Sequence, residues 1–206
     1  MSTLLGILAI LSAAAAAGMR IALPLLIVGL IQGQLWSEVP LLWRVNPQVV
    51  VAVLTSWSLF ELFGSKKLLG QRVLQIVQLL FTPLVGAMMA ITVARLLTSE
   101  LASQLEMDFR FPPLWVVGAI GSLFALAIRL VAIGWFFRLR GLPFWVTVLE
   151  DLFSVGLVLF AFKAPKNGGL IAILLLWIVV RSSTAWRTWF LANHSRDQPS
   201  EPKNRQ

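Results

Sequence analysis

Long apolar runs broken by short polar stretches fill most of the chain, and the length of those runs sets the first expectation. An α-helix rises 1.5 Å per residue, so about 20 apolar residues span the roughly 30 Å of a bilayer's hydrocarbon. Six runs approach that description: residues 4–31, 49–64, 73–97, 114–137, 144–162 and 169–180. The sixth is short, but Arg181 can snorkel and let its helix run on toward Trp186. Breaker residues stand where turns are needed. Pro40, Asn46 and Pro47 precede the second run, Pro112 and Pro113 the fourth, and residues 165–169 the sixth. The pattern predicts an all-α, polytopic membrane bundle of about six helices over residues 1–191, then a polar, disordered tail over 192–206.

The first run is irregular. Its 28 residues would form a helix of about 42 Å, longer than the hydrocarbon. Gly18 and Pro24 weaken the backbone midway, and Arg20 lies between them. A tilted or kinked helix is one expectation; a helix broken near Gly18, with Arg20 at the exposed ends, is the other. Five consecutive alanines at 13–17 permit close helix approach, as do Gly118 and Ser122 on the fourth run. Residues 4–15 resemble a signal peptide's apolar region and small-residue cleavage site. No Lys or Arg precedes them, however, and the apolar run resumes at Ile21, so they are read as part of the domain.

Composition narrows the class. Hydrophobic residues make up 58% of the chain and charged ones only 13%, about half the usual charged share. Mean hydropathy is +0.85, more apolar surface than a soluble domain of this size can hide. There is no cysteine or tyrosine, and the single histidine, His194, falls in the tail. Disulfides, zinc–thiolate sites, cysteine nucleophiles and a histidine base are therefore excluded from the body of the protein. No metal, cofactor or catalytic residue is implied, and an enzyme is not expected.

The balance is basic, with a formal net charge of +8. The positive residues flank apolar runs, which suits helix orientation and anionic lipid headgroups rather than nucleic acid. With the amino terminus placed inside, ten of the 17 Lys and Arg fall in cytoplasmic segments, five in outer segments and two, Arg20 and Arg129, within spans. Both termini are then expected to be cytoplasmic. Trp36, Trp43 and Trp115 would form an outer interfacial belt, and Trp145, Trp186 and Trp189 an inner one.

Several blocks resemble an uncharacterised family of small bacterial membrane proteins grouped as a domain of unknown function, its cyanobacterial members most closely. They are residues 16–26, with Gly18, Arg20 and Pro24; the stretch from Phe60-Glu61 through Phe81-Thr82-Pro83 to Gly86; and Val148-Leu149-Glu150-Asp151-Leu152. The resemblance covers the chain to about Thr184. It implies a multi-helix membrane domain in a plasma or thylakoid membrane and supplies no substrate.

Ionisable groups in hydrocarbon are costly and face a bundle interior or water. Arg20, Arg129, Glu150 and Asp151 stand out, with Glu61 near a span boundary. Arg129 is eight residues before Phe137 and Asp151 seven after Phe144, depths of roughly 12 and 10 Å across an antiparallel hairpin. The match predicts a pair between Arg129 and Asp151 or Glu150. The carboxyl left over either keeps a proton or pairs with Arg20. Gln71, Gln75, Gln78 and Thr82 share one helix face; Thr55, Ser58 and Glu61 recur every third residue; Thr147 and Ser154 flank the acids. Such stripes form interhelical hydrogen bonds or line a polar pathway.

Two three-helix halves, each with a buried arginine in its first span and acid in its second, would be related as inverted repeats. One functional expectation is a small transporter or channel for an ion or small polar or anionic solute, using Arg20, Glu61, Gln75, Gln78, Arg129, Glu150 and Asp151. The other is a non-transporting scaffold or assembly factor within a homo-oligomer or larger membrane complex.

Overall fold

A computed structural model of the chain describes residues 2–31, 39–64, 68–104, 113–139 and 144–194. Every regular element among them is helical. The helices are α1 (Ser2–Met19), α2 (Ala22–Ile31), α3 (Pro47–Gly64), α4 (Leu68–Gln104), α5 (Leu114–Leu139), α6 (Phe144–Lys163) and α7 (Pro165–His194), with a 3-10 turn at Leu42–Arg44. Among the described residues, four stretches are long and apolar enough to cross a membrane: Arg72–Thr98, Leu114–Gly134, Trp145–Lys163 and Pro165–Ser182. The expected tail from residue 195 onward, Trp36 and the lysines at 66 and 67 lie outside the described residues, and of Gln71 only the backbone is described.

The first apolar run is broken. α1 ends at Met19, α2 begins at Ala22, and Arg20 and Ile21 form the bend. Arg20 N still donates to Ala16 O at 3.0 Å, so the helix stops immediately after that bond. Pro24 supplies the reason. In an uninterrupted helix its ring would clash with the carbonyl of Arg20, four residues earlier, and it has no N–H to donate there. As the third residue of α2 it occupies a first turn, where the missing N–H costs little.

α1 is the central pole, packed against α4, α5, α6 and α7. Its alanines at positions 13–17 are all fully buried. Small side chains let backbones close up and gain dispersion contacts, which drive helix association where lipid removes the hydrophobic contrast. Gly168 and Gly169 of α7 press on Ser12 and Leu8 of α1 closely enough that a Cβ at either would collide. α4 and α5 cross at Gly86 and Gly121, where a Cβ on Gly121 would sit 2.8 Å from Gly86 O. Gly118 also serves this interface, facing Ile91, but the tightest approach lies at the next residue pair along.

Cross-helix contacts fix directions. Ser12 Oγ donates to Leu157 O (2.7 Å), Ser154 Oγ to Ala16 O (3.2 Å) and Arg20 Nη2 to Thr147 O (3.3 Å). Rising numbers in α1 meet falling numbers in α6, so the two are antiparallel. α5 runs antiparallel to α4, with Gln75 beside Arg129 and Gly86 beside Gly121. It is also antiparallel to α6, because the short 140–143 connection allows nothing else once Arg129 meets Glu150. α1 and α5 therefore point the same way, whereas inverted halves would oppose them. The amino end of α1 and the carboxyl end of α7 lie at opposite ends of the bundle. Six antiparallel helices would have brought them together; instead, α2 starts and α3 ends at the same level of the bundle, where Arg20 meets Glu61.

Candidate functional site

The break after Met19 creates the site. The last carbonyls of a helix lack intrahelical donors and carry the negative end of its dipole. Met19 O is one of these, and Arg129 of α5 caps it through Nη1 at 3.0 Å. The guanidinium's other terminal nitrogen, Nη2, donates to Gln75 Oε1 of α4 at 2.9 Å. Nη1 also lies 3.5 Å from Glu150 Oε1 of α6. One side chain, 1% exposed, thus ties four elements together. Gly18 makes this possible, since a Cβ there would stand 2.8 Å from Ala125 O and hold α5 away.

Arg20, in the bend itself, collects the remaining acids. Its Nε lies 2.5 Å from Asp151 Oδ1, its Nη2 3.9 Å from Glu150 Oε2 and its Nη1 3.8 Å from Glu61 Oε2. Glu61, near the end of α3, accepts two hydrogen bonds on one oxygen: Gln78 Nε2 at 2.8 Å and Trp57 Nε1 at 2.9 Å both reach Oε1. The cluster joins two guanidiniums to three carboxyls, a formal excess of one negative charge if all are ionised.

The pairing is imperfect, and the imperfections are specific. Glu61 Oε2, Ser58 Oγ, Arg20 Nε and Arg129 Nε are buried without a hydrogen-bond partner. The short Arg20–Asp151 approach is thus a charge contact rather than an aligned hydrogen bond. Leaving a buried polar atom unsatisfied costs about 1–3 kcal/mol, so such atoms concentrate where a fold serves more than its own stability. Glu61 is 2% exposed, while Glu150 and Asp151 are 18% and 24% exposed. The acids of α6 face the more open side, and Glu61 is sealed in.

All seven residues expected from the sequence, Arg20, Glu61, Gln75, Gln78, Arg129, Glu150 and Asp151, meet here. Arg129 takes Glu150 as its partner, and Asp151 goes to Arg20. The stripes converge only in part. Thr82 is buried but bonds within its own helix, to Gln78 O; Thr147 and Ser154 are buried; Thr55 is exposed. Trp57 is the participant that belt reasoning misses. Its signal was its place four residues before Glu61, the spacing of neighbours on one helix face. The backbone acceptors Met19 O and Thr147 O are legible only once the break is known.

Two shallow grooves lie on the outer surface. One, of about 250 Å³, runs along Leu152, Phe153, Gly156, Leu157, Phe160 and Ile171 and has no charged wall. The other, of about 540 Å³, is lined by Ala52, Val53, Ser56, Trp57 and Phe60. Trp57 thus touches an outer groove as well as Glu61.

No curated protein and no solved structure matches the chain. One family profile does, described as a domain of unknown function (DUF4126), and it covers residues 7–185, nearly all of the helical domain and every member of the charged cluster. The chain belongs to that family.

Proposed function

We propose that this integral membrane protein moves an ion or a small polar or anionic solute across its membrane, with the charged cluster at the α1–α2 break as its central site. The observation that carries the reading is the break itself. Non-helical backbone at membrane depth is tolerated where protein buries it or water reaches it, and transporters use such half-helix ends to hold charged cargo. Here the break brings together two guanidiniums and three carboxyls, with four buried polar atoms that make no hydrogen bond. A cluster serving only as a lock would gain from full satisfaction.

The scaffold reading has one observation in its favour: each carboxyl has a guanidinium within 4 Å, an arrangement that also holds helices together. Flux separates the two. In proteoliposomes, the wild-type chain should move at least one member of a broad ion and solute panel, and Asp151→Asn and Arg129→Ala should abolish that movement. Absence of any wild-type flux, with stoichiometric co-purification of a larger membrane complex, would replace transport by scaffolding.

The resemblance to cyanobacterial proteins supports a plasma or thylakoid membrane. The positive-inside rule supports a cytoplasmic side that holds the α3–α4 and α5–α6 connections and the carboxyl terminus. Residues 1–19 contain no Lys or Arg, so that rule is indifferent to where the amino end lies. The direction of α1, antiparallel to α6, supports a location for the amino end on the opposite side.

A further inference from the structure

The groove between α6 and α7 follows from how both helices sit on α1. Ser12 Oγ of α1 bonds to Leu157 O of α6, and Gly168 and Gly169 of α7 press on Ser12 and Leu8. The outer flanks of α6 and α7 are left apart. A Cβ on Gly156 would meet nothing within 4 Å, so this position of α6 adds no wall. Leu157, 1% exposed, forms the floor, with Leu152, Phe153 and Phe160 at the rim.

The shape selects an occupant. Leu152 to Phe160 covers about 12 Å of helix at 1.5 Å per residue. Over that length, a volume of about 250 Å³ gives a mean cross-section of about 20 Å², roughly a quarter of that of a helix 10 Å across. One hydrocarbon chain fits; a helix does not.

The end of the groove at the α6–α7 turn is basic. Lys163 is three residues beyond Phe160, and Asn167 is four before Ile171, each on its partner's helix face. Lys166 adjoins Asn167, and all three are exposed. Among the described residues, neither lysine has an ion-pair partner. Backbone N–H groups of the turn are already taken: Ala164 N donates to Phe160 O, and Asn167 N and Gly168 N to Ala164 O. An anion here is therefore met by side chains, two ammoniums and an amide. On the orientation supported above, the positive-inside rule favours charges at the other end of α6, so it does not account for these lysines. Glu150 and Asp151 precede Leu152 at the groove's far end, where they would repel a phosphate.

We propose that this groove binds an acidic phospholipid, one acyl chain lying over Leu157 and the phosphate held by Lys163, Lys166 and Asn167. The site is independent of the transport reading.

Native mass spectrometry of the full chain tests it. Released from detergent holding equimolar dioleoyl phosphatidylglycerol and dioleoyl phosphatidylcholine, the wild type should keep one phosphatidylglycerol in preference by about tenfold. Glycerol 3-phosphate and inorganic phosphate, which bring no chain, should not displace it. Lys163→Gln with Lys166→Gln should erase the preference; both positions are exposed, so folding is not at stake. Gly156→Leu should cut phosphatidylglycerol retention several-fold with both lysines in place. Arg95→Gln, at an exposed position on α4 toward the same end of the bundle, should change neither. The proposal is overturned by equal retention of the two lipids, by displacement with free phosphate, by a preference that survives loss of both lysines, or by unaltered binding in Gly156→Leu. An equal loss in Arg95→Gln would overturn it as general attraction to a basic surface. A dimer that Gly156→Leu disperses would give the groove to a second copy instead.

Discussion

At the scale of single residues, Arg129 has the largest energetic role. It is the largest fully buried side chain among the described residues and joins a backbone carbonyl, an amide and a carboxyl on three other helices. Removing one member of a buried ion pair costs about 3–5 kcal/mol, mostly because the partner is left charged and dry. Arg129→Met should therefore lower stability by about that much, measured by reversible unfolding in mixed micelles. Pairing it with Glu150→Gln should recover part of the loss, since the stranded charge goes with it. Arg181 gives the contrast. It lies 5.5 Å over the Trp177 ring at an exposed position, and Arg181→Met should cost about 0.5–1 kcal/mol. The existence of the cluster was legible because charges inside apolar runs have few places to go. The partner choice was not, since Glu150 and Asp151 are adjacent in sequence and depth matching cannot separate them.

At the scale of elements, glycine decides how near the helices come. Gly121 faces Ala90 Cβ and Gly86 O, so any side chain there must push α4 from α5. Gly121→Ala should destabilise by about 1–3 kcal/mol through overpacking. Gly156 faces open space, and Gly156→Ala should stabilise by up to about 1 kcal/mol through helix propensity alone. Thermal unfolding in one detergent compares them directly, and equal effects would refute the close-approach account. The sequence advertised small-residue packing on α5 at Gly118 and Ser122, yet the crossing centres on Gly121. A helix alone shows which small residues are available; its partner's groove selects among them. The break in the first run was legible as one of two outcomes, and Pro24 tipped it by forbidding the bond that Arg20 would have accepted.

At the scale of the whole molecule, apolar runs were enough to place the helices but not to orient them. Run lengths predict about six helices, and the described residues form seven because the first run is broken; charged loops are the sequence's guide to orientation. The first helix carries no charge, so nothing along it reports its direction; only its antiparallel contact with α6 does. Because the chain has no cysteine, single cysteines can test this against a clean background. Leu4→Cys, at an exposed position on α1, and Asn193→Cys, near the end of α7, should react with a membrane-impermeant maleimide from opposite faces of sealed vesicles. Labelling of both from one face would refute the arrangement of α1.

The alanine-lined central pole bears on biosynthesis. A ribosome releases its amino-terminal end first, so the helix destined for the middle enters the bilayer before any of the four that will enclose it exist. Until they arrive, Arg20 must wait without Asp151 or Glu61. Assembly is therefore a matter of later helices wrapping a lone early one, and a chain stalled before α3 would hold Arg20 among lipids with neither Glu61 nor Asp151 made, a flaw that quality-control proteases could recognise.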